Sequence, residues 1–146
     1  MRNVLCTTLL VAMLLSALPC HAQNPNYDVG QVWRVTYYHI KPGQGEAFWK
    51  DVREHLKPVY ESLKKDGLIS DYKVWTNVTT DSSGDWNVAL GLQYPNWAAL
   101  DQADTKTTTI VTKHYASRDA MLEAGKKRNE LREVVASKLA REVIPK

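Results

Sequence analysis

Between positions 31 and 78 the hydrophobic pattern changes period twice, and this limits the fold more than any other feature of the chain. Residues 31–40 (QVWRVTYYHI) are largely β-branched and aromatic, the types that suit a pleated surface. Trp33, Val35, Tyr37 and His39 fall on one face; Val32, Thr36, Tyr38 and Ile40 fall on the other. A strand with bulk on both faces belongs in the middle of a sheet. The corner Lys41-Pro42-Gly43 then leads into residues 46–65, where Phe48, Val52, Leu56, Val59 and Leu63 recur at helical spacing. Pro58 stands inside that stretch without a backbone donor and predicts a bend near Glu54 or His55. Asp66-Gly67 closes the helix, with Gly67 suited to a left-handed C-terminal position. A second strand is expected over 68–78, interrupted by Asp71 and Lys73 as an edge strand tolerates.

The polar run 79–85 (TTDSSGD) has the composition of a hairpin loop. A third strand over 86–94 alternates cleanly. It sets Trp86, Val88, Leu90, Leu92 and Tyr94 against the small face of Asn87, Ala89, Gly91 and Gln93. Asn96 reads as the N-cap of a short helix carrying Trp97 and Leu100, and Ser117 as the N-cap of another. The threonine-rich stretch 104–112 gives no clear assignment. The tail 132–144 fits either a helical stripe or a strand on local pattern alone.

The order of elements decides the tail. Two strands joined by a helix run parallel, with a right-handed crossover. A hairpin then adds the third strand, and a helical segment with a fourth strand over 133–143 completes a β-α-β-β-α-β unit. The expected class is therefore α+β, ferredoxin-like, with a four-stranded antiparallel sheet. The first and third strands are central, the second and fourth lie at the edges, and helices cover one face. The other face carries Trp and Tyr side chains that would meet water, unless a second identical sheet packs on it.

The first 22 residues stand apart. Arg2 supplies a positive start, residues 4–18 an apolar run, and Cys20-His21-Ala22 small residues before a cut, as in a secretory signal peptide. The run is short for a bilayer span, which takes about 20 apolar residues. Pro19 directly before Cys20 argues against lipidation. Cleavage after Ala22 leaves 124 residues, a polar lead-in over 23–30 and a domain over 31–146. The expected location is the periplasm or the medium. Both cysteines leave with the signal, so the mature chain has no thiol for a disulfide, a metal or a nucleophile. Its 18 basic and 16 acidic residues are interspersed, without the basic stripe that nucleic acid requires, and no further run is long enough to span a membrane.

The run Trp33 to Gly45 (WRVTYYHIKPGQG), Phe48, the His55-Leu-Lys-Pro-Val-Tyr segment and Asp66-Gly67-Leu68 together resemble the dimeric α+β barrel superfamily. The likeness extends over residues 31–100. That superfamily includes cofactor-independent antibiotic and quinol monooxygenases and haem-degrading enzymes. The resemblance implies a homodimer paired through its sheets. The Asn, Trp and His set of the haem-degrading members has no counterpart that can be placed here, so no catalytic residue carries over.

Candidate site residues come from the aromatic faces and the histidines. Tyr37 and His39 share one face of the first strand and could orient a phenol or quinone, or move a proton. Trp75 on the second strand could share a wall with Tyr37, and His114 could close over the same space. The same side chains would equally suit a dimer interface. No histidine pair has short metal-ligand spacing, and no nucleotide fingerprint or nucleophile elbow is present, so no metal and no cofactor is expected. Two readings stay open: an exported homodimer that binds a small apolar or aromatic molecule, or a cofactor-independent monooxygenase acting on a quinol or another activated aromatic.

Overall fold

A computed structural model describes residues 26–79 and 81–146; the signal segment 1–22 lies outside the described residues. The chain forms two units. In the smaller (Met1–Asp28, Pro145–Lys146), the Lys146 N–H donates to the Asn26 carbonyl at 3.1 Å. The larger, Val29–Ile144, carries the rest of the described structure.

The strands are β1 (Tyr27–Ile40), β2 (Asp71–Thr76), β3 (Val88–Tyr94) and β4 (Arg132–Pro145). They form one sheet in the order β2-β3-β1-β4. β3 is antiparallel to both β1 and β2, pairing Tyr38 with Val88 and Thr76 with the same Val88. β1 and β2 therefore run parallel with β3 between them, which is the ferredoxin-like arrangement. The central and edge strands are those that the apolar content of the sequence indicates. The tail is a strand, as the element order requires. It is longer than expected, at 14 residues, and matches β1 in length. β1 accordingly begins at Tyr27, so residues 27–30, expected in the lead-in, are already extended. β2 is shorter than expected because Leu68 and Ile69 are buried in the connection ahead of it.

The helices are α1 (Gly45–Asp51), α2 (Lys57–Lys65), α3 (Trp97–His114) and α4 (Arg118–Leu131). A π-helical turn, Val52–Leu56, joins α1 to α2. Pro58 offers no N–H to the carbonyl of Glu54, and the widened turn just before it accommodates the missing donor. The expected bend is thus a change of helical pitch. α2 ends in a Schellman turn. Gly67 has φ 70°, the Leu68 N–H donates to the Leu63 carbonyl (2.9 Å), and the Gly67 N–H donates to the Lys64 carbonyl (3.1 Å). Asn96 caps α3 by accepting from the Ala99 N–H, and Ser117 caps α4 by accepting from the Ala120 N–H. The threonine stretch 104–112 is helical and lies within α3, which is correspondingly long at 18 residues.

All helices whose packing is resolved cover the same face of the sheet. Phe48 sits with Tyr38, Val88 and Leu90, bordered by Val52 and Leu56. Val59, Leu63, Leu100 and Ala103 pack with Val32 and Tyr94. These strand residues are the even-numbered ones, so the odd-numbered positions of β1 and β3 face away from the helices.

Candidate functional site

The helix-free face of the sheet bears an aromatic cavity of about 610 Å³. Trp33, Val35 and Tyr37 reach it from β1, Trp75 from β2 and Ala89 from β3. Trp33 and Trp75 form a tilted pair with ring centroids 5.9 Å apart, and Tyr37 meets Trp86 edge-on at 5.2 Å. Both separations lie in the range where aromatic pairs attract. Gly91 lies beneath the first pair. A Cβ added there would stand 2.6 Å and 2.8 Å from the Trp75 ring and 3.2 Å from Trp33. The absent side chain is what lets the two indoles lie against the backbone of β3.

Trp86 corrects the strand reading. Alternation assigns it to the face of Val88 and Leu90. β3 starts only at Val88, and Trp86 belongs to the preceding loop, where it turns to the opposite face. Asp85 organises that loop: its carboxylate accepts from the Trp86 N–H (2.8 Å) and from Asn77 Nδ2 (3.1 Å). The Asn77 side chain also donates to the Trp86 carbonyl at 3.0 Å. A loop that composition marks only as polar therefore fixes an aromatic wall of the cavity.

Of the residues expected at a site, the structure brings Tyr37 and Trp75 together in this cavity. His39 lies further along β1 and lines a second cavity of about 410 Å³ with Lys41 and Glu133. Its Nδ1 is 2.8 Å from the Asp85 carbonyl oxygen. A carbonyl only accepts, so Nδ1 carries the hydrogen and Nε2 is left as the acceptor.

His114 is not near these residues. It ends α3 in the helical layer, where its Nε2 lies 3.2 Å from His55 Nδ1 in the π-helical turn. Tyr115 packs on both rings and also hydrogen-bonds Arg128. Arg128 in turn forms a two-pronged ion pair with Asp51, at 2.7 Å and 3.0 Å. No sequence signal pairs two histidines 59 positions apart; only the packing of α3 against the first crossover shows it. Among the described residues, no group of three or more His, Cys, Asp or Glu side chains could hold a metal.

Loss of water around the His114 ring, then the neighbouring His55, then Arg128 hold its pKa below the usual histidine value of 6.5. Above that value both the folded and the unfolded ring are neutral, and stability does not change with pH on this account. Below it the unfolded chain takes up the proton first, so stability falls until the folded ring also titrates. Urea midpoints measured from pH 7.5 to 5 should drop across this window, and His114→Gln should flatten the drop. A midpoint that rises on acidification in the parent and not in the variant would contradict the assignment.

Sheet order, helical cover on one face and an aromatic cavity on the other define an α+β protein of the ferredoxin-like fold. Two solved structures are similar to it. One is a dimeric protein of unknown function and ferredoxin-like fold from Bacteroides fragilis, 19% identical, covering 80% of this chain and 97% of its own, with a TM-score of 0.40. The other is a dimeric ferredoxin-like protein from an uncultured marine organism, 12% identical, covering 80% of this chain and 96% of its own, with a TM-score of 0.49. No family model and no curated protein sequence matches the chain.

Proposed function

We propose that the chain is an exported protein that binds a small, mostly apolar aromatic molecule on the helix-free face of its sheet and works as a homodimer. The aromatic cavity carries this reading. Its volume lies within the roughly 300–1,000 Å³ usual for small-molecule sites, and its walls are aromatic with few polar groups. The dimer rests on exposed apolar surface. Val134, Val135, Leu139, Val143 and Ile144 on the edge strand β4 are each about half exposed or more. A long apolar edge strand left in water invites pairing, and a second copy supplies a matching edge.

Titration of the mature protein with naphthalene should quench its tryptophan fluorescence to saturation, and Trp75→Ala should weaken that binding about tenfold. Sedimentation at micromolar concentration should give twice the monomer mass. An unquenched spectrum together with a monomeric boundary would remove the reading. Export is tested by the mass of the protein recovered from the cell envelope, which should begin at Gln23.

One observation favours the enzymatic alternative, a cofactor-independent monooxygenase. His39 presents Nε2 as a proton acceptor on the strand that carries Tyr37. In that reading His39 deprotonates a quinol, which then reacts with dioxygen directly. Oxygen uptake with a panel of quinols, lost in His39→Gln, is its test.

A further inference from the structure

The ligand cavity has a charged group at each edge, and the two are of opposite sign. Sheet order sets β2 and β4 at opposite margins, three strand spacings apart, or about 14 Å. Lys73 reaches the cavity from β2 and Glu142 from β4. Between them the floor is Ala89 and Gly91, the smallest side chains of β3, with the Trp33–Trp75 pair alongside. The floor is therefore flat and apolar, and its ends are ionic.

Neither charge is spent on a neighbour. Lys73 holds its ammonium 5.4 Å from the centre of the Trp33 ring. The acid two residues before it, Asp71, is paired with Lys64 at 2.8 Å. At the other margin Glu142 lies against Gly30: a Cβ added to that glycine would stand 2.9 Å from its carboxylate oxygen. The adjacent cation, Arg141, directs its guanidinium over the Trp97 ring at 5.4 Å instead.

Resting on the binding role proposed above, we infer that the cavity selects planar aromatic molecules with an acid group at one end and a hydrogen-bond donor at the other. The acid lies at Lys73 over the edge of the Trp33 ring, and the donor lies at Glu142. A two-ring molecule substituted at opposite ends spans the floor once both side chains lean inward. A neutral hydrocarbon of the same shape fills the floor and leaves both ionic ends unmatched. A molecule with the acid alone satisfies Lys73 only.

The test uses four probes of one shape (naphthalene, naphthoate, naphthylamine and an aminonaphthoate with its groups at opposite ends), titrated into the mature protein by tryptophan quenching. Each matched end should improve affinity about tenfold over naphthalene, as for one charge-assisted hydrogen bond. Lys73→Gln should bring naphthoate to within about twofold of naphthalene while leaving naphthalene and naphthylamine unchanged. Glu142→Gln should act the same way on naphthylamine alone. Both positions are exposed edge sites, and an unchanged near-ultraviolet circular dichroism spectrum verifies that each variant folds. Equal affinity of naphthalene and naphthoate for the parent, or a preference for naphthoate that survives Lys73→Gln, would overturn the inference while leaving the binding role intact. Failure of all four probes to quench would overturn both.

Discussion

Phe48→Ala should cost about 3–5 kcal/mol, the range for emptying a buried aromatic site. Phe48 is the only phenylalanine in the chain, is 1% exposed, and is the side chain through which α1 holds the sheet. It fills the space between Tyr38 on β1 and Val88 and Leu90 on β3. The Trp49 ring meets it edge-on at 5.2 Å, and the Arg132 guanidinium lies 5.7 Å from its centre. None of these neighbours can move into the gap without leaving a partner of its own. Because a domain of this size has a total stability of only about 5–15 kcal/mol, the variant should lose a large part of it. Urea unfolding followed by far-ultraviolet circular dichroism measures the loss. A loss below 1 kcal/mol would mean that α1 does not depend on this contact. Phe48→Leu should recover most of the stability, since it keeps most of the volume.

Arg128→Ala is expected to be nearly as costly, at about 3–5 kcal/mol, for an electrostatic reason. The Arg128 and Asp51 side chains are only 13% and 14% exposed. Removing the cation strands a carboxylate in a place water barely reaches and takes a partner from Tyr115. Replacing both partners with apolar residues, as in Arg128→Met with Asp51→Leu, should cost less than either single change. The comparison is a double-mutant cycle in urea. Additive losses would show that the two groups do not act as a pair. Since Asp51 precedes the π-helical turn and Arg128 lies in α4, the pair ties the two crossovers of the fold to each other. Loss of it should also expose the His55–His114 contact.

The framework of the fold was open to reading because it rests on period and order. The strand of residues 31–40 shows bulk on both faces, and the helix stripe from Phe48 to Leu63 repeats at every turn. The tail was undecided locally, since Val135, Leu139 and Val143 suit a helix as well as a strand. Only the need of the sheet for a fourth member made it β4. The threonines at 107–109 concealed the length of α3, because β-branched residues disfavour helices. Packing of Leu100 and Ala103 against the core outweighs that preference.

The candidate site was legible only in part. Tyr37 and Trp75 share a wall because both strands expose the same parity to one face. Trp86 escaped because parity counting fails where a strand has not yet begun. His114 lies in the helical layer because α3 continues unbroken to it, carrying the ring away from the aromatic cavity. The pairing of Asp51 with Arg128 spans 77 positions and leaves no local trace.

The π-helical turn also keeps two halves of one rod in phase. Phe48, Val52 and Leu56 are spaced by fours, and an ordinary α-helix would carry each successive member about 40° further around the axis. A locally wider turn cancels that drift, so Leu56 comes back over the sheet and Val59 and Leu63 start from the correct azimuth. Deleting one residue from 53–55 would restore a regular helix there and rotate everything after it by about 100°, turning Leu63 from the interior toward solvent. The apparent irregularity thus acts as a vernier, letting one long crossover serve two separate pockets of the core.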